Sequence, residues 1–189
     1  MRWSAGPLTF AVLHPTRADY DAKRPTNSMS CVILITSGAT RLLLTGDVPM
    51  ADEIAMLARE PELRAEWLAV PHHGSRSSSG ELLLDTLGAR FAVAQAGYRN
   101  RFRHPDVEVI ARYRARQIPF FRTDYAGALQ WRFAADGSTT VTSSRQTQPR
   151  YWHNRPQAEP QLAAPESTAE PGAAPLDAIP GPPEPFAGR

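Results

Sequence analysis

The sequence lacks most of the features that define several common protein classes. It has a single cysteine, Cys31, in 189 residues. One thiol closes no internal disulfide, which excludes a disulfide-stapled scaffold. Lying in an apolar run, Cys31 is expected to pack as a small hydrophobe. No segment approaches the roughly 20 apolar residues of a membrane span, and the N-terminus has no signal-peptide pattern. The chain as written is therefore expected to be soluble. Net charge is nearly absent as well, at +2, so the total charge selects no partner. Proline is unevenly spread, and ten of the eighteen prolines fall within residues 144–189. That same stretch has almost no aliphatic clusters, and it cannot bury enough apolar surface to offset its ordering entropy. Residues 144–189 are read as a disordered Pro/Ala-rich tail, and residues 1–143 as one domain.

Within 1–143, apolar runs alternate with turn signals. Leu8 to Pro15 reads as a strand. The stretch from Thr16 to Met29 is a polar loop. SCVILIT and TRLLLTG flank SGA and read as a hairpin of buried strands. From Ala51 the period becomes helical. Ile54, Leu57 and Ala58 share a face, and Asp52 and Glu53 sit where the helix dipole favours acids. EWLAV is a strand, followed by PHHGS. Ser78 with Glu81 fits a capping box for a helix that turns Leu83, Leu84 and Leu87 inward and ends at Gly88. RFAVAQAG is a strand, and Pro105 is placed to open a helix. IPFFRT, GALQWRF and TTVTS read as the last strands. Strands alternating with helices after a hairpin imply a layered α/β fold. In such sheets ligands collect beyond the carboxyl ends of the strands.

Three groups of polar residues follow predicted strands, and that shared placement suggests that they meet. Asp47 ends LLLTGD. It is either a metal-ligating carboxylate at the sheet edge or an N-cap for the next helix. His72 and His73 are adjacent, so in an extended segment their side chains point opposite ways. At most one then faces the same site as Asp47, and the other bonds elsewhere. Gly74 permits close backbone approach. His104 lies in GYRNRFRHP, either as a general acid and phosphate ligand or simply as helix entry. A Ser75–His73–Asp47 triad has no nucleophile elbow to support it. His14 reads only as a strand-end residue. Between Gly97 and Arg122 seven arginines face two acids, either a docking surface for a polyanion or a solvated helix face with a basic loop.

Taken together, NSMSCVILITSGATRLLLTGD, WLAVPHHGSRSSSGELLL and ARFAVAQAGYRNRFRHPDVEVIARYRARQIPFFRTDYAGALQW closely resemble the C-terminal metallo-β-lactamase-like domain of the ComEC family. These are channel proteins of bacterial DNA uptake, resident in the inner membrane. The resemblance runs from about Pro7 to Phe133 and is specific because several motifs recur in order. It implies a metallo-β-lactamase-like αββα sandwich, of which this chain is the C-terminal portion. It further implies a divalent metal, Zn or Mn, that activates water against a DNA phosphodiester, and DNA, single-stranded or duplex, as partner.

By the same resemblance Asp47 is the metal-bridging aspartate and His73 the last histidine ligand, with His72 beside it. Asn27 falls where relatives carry a further histidine. His104, the histidine of N-R-x-x-H-P, is the catalytic candidate. Asn100, Arg101 and Arg103 of the same loop, with Asn27 and Ser75, are candidates for substrate contact. The first metal motif of this family, H-x-[HD]-x-D-H, is absent from the sequence. The expectation is therefore exposed apolar surface where the missing portion of the same protein would pack, metal occupancy that this chain does not secure, and little or no catalysis by the chain alone. The alternatives are a small-molecule hydrolase of the same fold and a non-catalytic nucleic-acid-binding module.

Overall fold

The computed structural model describes residues 1–134, 136–151 and 153. Seven strands form one mixed sheet in sequential order: β1 (Arg2–Ala5), β2 (Leu8–His14), β3 (Val32–Ser37), β4 (Thr40–Leu44), β5 (Trp67–Ala69), β6 (Phe91–Ala94) and β7 (Phe120–Arg122). β1 to β4 pair antiparallel, while β4 to β7 pair parallel. Helices α2 (Met50–Arg59), α3 (Glu81–Leu87) and α4 (Val107–Ala115) supply the crossovers between the parallel strands. This is the layered α/β arrangement that the alternating pattern predicts. The short helix α1 (Arg17–Asp21) lies between β2 and β3. After β7 come α5 (Thr123–Ala126), a separate hairpin of β8 (Leu129–Phe133) and β9 (Thr139–Ser143), and α6 (Ser144–Thr147). The expected disordered tail lies, beyond its first residues, outside the described part of the chain.

Side chains on the two faces of the sheet have different covers. Leu43, Leu68 and Ala92 share a buried cluster with Met56 and Leu57 of α2, Leu83, Leu84 and Leu87 of α3, and Val109 and Tyr113 of α4. On the other face, one cross-strand row runs Trp3, Phe10, Ile35, Leu42, Trp67, Phe91. The β8–β9 hairpin covers the β5–β7 end of that face through Leu129, Trp131, Phe133 and Val141. Towards β1 the cover stops. Phe10, Val12, Ile33 and Ile35 are half-buried. Trp3 is 40% exposed and stacks on Phe10 with ring centroids 4.9 Å apart. Exposed apolar surface is therefore present, on the outer strands of one sheet face.

Several local expectations need correction. Cys31 is exposed, because it precedes β3 rather than joining it. On α2 the inward face is Asp52, Glu53, Met56 and Leu57, and Ile54 is 48% exposed. Two acids can face inward because both are paired. Asp52 meets Arg24, and Glu53 accepts the backbone N–H groups of Ser79 and Gly80, each at 2.7 Å. Ser78 makes no capping box. It is buried, and its hydroxyl donates to the Pro71 and Ser75 carbonyls. Pro105 precedes the helix instead of opening it, and Asp106 caps α4 by accepting from the Glu108 N–H. The polar loop expected at Thr16–Met29 contains α1 and a 3-10 turn at Thr26–Met29.

Candidate functional site

The carboxyl ends of β4, β5 and β6 are adjacent, and each runs into one of the predicted polar segments. After β4, Thr45 is buried and its hydroxyl donates to the Ala69 carbonyl at 2.8 Å, which ties this loop to β5. Gly46 follows with φ +54°, a conformation open to glycine at little cost. Its carbonyl accepts the His72 N–H at 2.9 Å. Asp47 donates its own N–H to the Ser30 hydroxyl. It does not cap α2, whose N-cap is Pro49. The Asp47 carboxylate faces His73 instead, with Oδ1 3.2 Å from Nε2.

The two histidines do not lie in an extended segment. His72 has φ +49° and His73 φ +55°, successive left-handed residues, each costing roughly 1–2 kcal/mol for an L-residue. Such strain concentrates at functional sites. The turn sends His73 to Asp47, while His72 Nε2 lies 3.4 Å from the side-chain amide of Asn27. The two side chains do meet different neighbours, but through this turn rather than through strand alternation.

His104 arrives from the β6–α4 loop. Its ring lies 5.9 Å from that of His72. Asn100 fixes it: the Asn100 side chain accepts the His104 N–H at 2.9 Å and donates to the His104 carbonyl at 2.7 Å. Burial, then the neighbouring His72 and His73, hold the His104 imidazole below the ordinary histidine value, with Asp106 and Asp47 pulling back. The Nδ1 atoms of His72 and His104 are both buried without a partner.

Asp47, His73, His72 and His104 thus form one connected group, as their shared position after strands suggests, and Asn27 joins it from the 3-10 turn before β3. Ser75 stands apart, with its hydroxyl 3.1 Å from that of Ser77. Arg101 and Arg103 are exposed on the loop that carries His104.

Two ligands about 2.0–2.1 Å from a tetrahedral zinc lie roughly 3.3 Å apart. The 3.2 Å separation of Asp47 Oδ1 and His73 Nε2 fits two positions of such a set. The fit ends there. Among the described residues, no three His, Cys, Asp or Glu side chains gather to hold an ion.

Sequence reasoning missed the supports. Glu53 and Arg112 hold the serine loop, Arg112 by donating to the Ser78 and Ser79 carbonyls. The apolar periodicity of α2 hid Glu53, although Asp52, Glu53, Met56 and Leu57 are themselves helically spaced.

The chain is similar to known proteins over most of its length. Competence protein ComA of Neisseria gonorrhoeae is 34% identical over 158 residues, 82% of this chain and 22% of the relative. ComE operon protein 3 of Bacillus subtilis is 34% identical over 126 residues, 67% of this chain and 16% of the relative. The chain belongs to the ComEC-like competence family. Recombination protein 2 of Haemophilus influenzae is 33% identical over 138 residues, 71% of this chain and 16% of the relative. The ComEC-like chain thus spans between 16% and 22% of the length of these relatives. No protein-family model matches it. Among the described residues no helix is long and apolar enough to cross a membrane.

Proposed function

We propose that this ComEC-like chain carries part of a metal-dependent phosphodiesterase site that acts on DNA during uptake, in a metallo-β-lactamase-like αββα sandwich. The Asp47–His73 contact at 3.2 Å, at the carboxyl edge of the parallel strands, is the observation that carries this reading. Asp47 and His73 would hold the ion, Zn or Mn, and its remaining ligands would come from outside the described residues. His104 would hold or pass a proton at the phosphate, and Arg101 and Arg103 would neutralise neighbouring phosphates. The half-covered sheet face around Phe10 and Ile35 would receive the structure that brings those ligands. The names of the relatives support the link to competence.

A graft tests this reading. The chain replaces the matching segment of the Bacillus subtilis relative, and release of acid-soluble label from DNA is measured during uptake. The graft should degrade DNA, and Asp47→Ala and His73→Ala should each abolish degradation while Arg114→Gln does not. Equal degradation by the Asp47→Ala, His73→Ala double variant would remove the hydrolytic reading.

One observation favours a second reading, a nucleic-acid-binding module without catalysis. The basic loop is exposed while the ligand set is partial. DNA binding that is steep in salt and indifferent to chelators would support it.

A further inference from the structure

Six of the seven arginines between Gly97 and Arg122 fall into two groups, and the seventh, Arg114, is exposed on α4. Arg112 donates to the Ser78 and Ser79 carbonyls, Arg116 pairs with Asp85, and Arg122 pairs with Asp124. Those three have structural partners. Arg99, Arg101 and Arg103 are exposed, and none of them forms an ion pair among the described residues.

These three arginines alternate with aromatic rings that the core does not use. Tyr98 is 46% exposed and Phe102 is 62% exposed. Arg99 lies over the Tyr98 ring at 5.3 Å, and Arg101 over the Phe102 ring at 4.6 Å. Phe102 also stacks on His104, with centroids 5.7 Å apart and planes 16° from parallel. His104 in turn neighbours His72. A row of flat rings therefore leads from the exposed loop tip to the candidate site.

The loop is held in shape. Asn100 N–H donates to the Gly97 carbonyl, Arg103 N–H to the Asn100 carbonyl, and the Asn100 side chain clamps both backbone groups of His104. A large exposed aromatic on a fixed loop costs little further ordering when a ligand stacks on it.

From this arrangement we infer that Tyr98 and Phe102 are stacking platforms for unpaired bases, which makes the strand presented to His104 a single strand. The inference rests on the DNA reading above and supplies its substrate form. Bases paired in a duplex keep their faces stacked on one another, whereas an unpaired base offers its face to an aromatic ring. A base on Phe102 provides the ring with the flat partner that Arg101 now provides, and the freed guanidinium can pair with the adjacent phosphate. Aromatic stacking with interleaved cations is the general chemistry of single-strand recognition.

The test is fluorescence anisotropy with the full chain and three probes of equal length: an oligo-dT strand, an abasic strand with the same phosphates, and a duplex. Oligo-dT should bind more tightly than the abasic strand. Phe102→Ala and Tyr98→Ala should each weaken oligo-dT binding about 5- to 150-fold and leave abasic binding nearly unchanged. Phe102→Trp should restore affinity, which separates stacking from a folding defect. Equal binding of oligo-dT and abasic strand, or oligo-dT binding unaffected by both alanine variants, overturns the stacking inference and leaves the DNA reading standing. No binding to any of the three overturns both.

Discussion

Gly74 and Pro105 are packed so closely that no other residue fits at position 74. A Cβ built on Gly74 would lie 2.4 Å from the Pro105 Cβ and 3.0 Å from its Cα. Gly74 also has φ +84°, and its carbonyl accepts the Asp106 N–H at 2.9 Å. This contact seats the loop bearing His104 on the turn bearing His72 and His73. Gly74→Ala meets both obstacles, and the backbone strain alone is worth about 1–3 kcal/mol. The expected result is a lower denaturation midpoint in urea together with weaker DNA binding.

Glu53 supports the same region from below. Its carboxylate accepts the N–H groups of Ser79 and Gly80, and burial raises it above the ordinary glutamate value against those two bonds. Glu53→Ala leaves two buried donors without acceptors, a loss of about 2–5 kcal/mol. Glu53→Gln keeps one acceptor and should cost less. Equilibrium unfolding of both variants checks the order.

Acid sensitivity should come partly from Asp19. The Thr16 hydroxyl and then the Thr16 backbone N–H, with Arg24 and His14 adding, hold the Asp19 carboxyl well below the usual carboxylate range. A carboxyl lowered in the folded state stabilises the fold above its unfolded value of about 3.9, and loses that contribution as pH falls through the folded value. Unfolding free energy measured from pH 7 down to pH 2.5 should therefore fall, and Asp19→Asn should flatten that fall.

The division of the arginines gives a paired prediction. Arg112→Gln removes a charged donor from two carbonyls and should destabilise by about 1.5–3 kcal/mol. Arg101→Gln should change stability by less than about 0.5 kcal/mol. It should lower the salt slope of single-strand binding by about 0.7. Thermal melts and salt titrations of both variants separate the two roles.

The parallel half of the fold was legible because its strands are short buried runs that end on polar loops. That pattern puts Asp47, His73 and His104 at the carboxyl ends of neighbouring strands. Strand β1 was not legible, since RWSA is exposed throughout and lacks an apolar rhythm. The α2 face was misread because apolar periodicity cannot register carboxylates buried on partners distant in sequence, here Arg24 and the Ser79–Gly80 backbone. That Asp47 does not cap α2 needed three dimensions, because an aspartate two residues before a helix reads as a cap in sequence. The left-handed pair at His72 and His73 left no trace in composition, since neither residue is glycine.

The central claim is that Asp47 and His73 form part of a metal site that the described residues do not complete. Isothermal titration of Mn²⁺ into the full chain, beside His73→Ala, tests it most directly. The account predicts weak binding that His73→Ala abolishes and no tight stoichiometric uptake. Tight uptake of one or two ions per chain, or binding indifferent to His73→Ala, would contradict it.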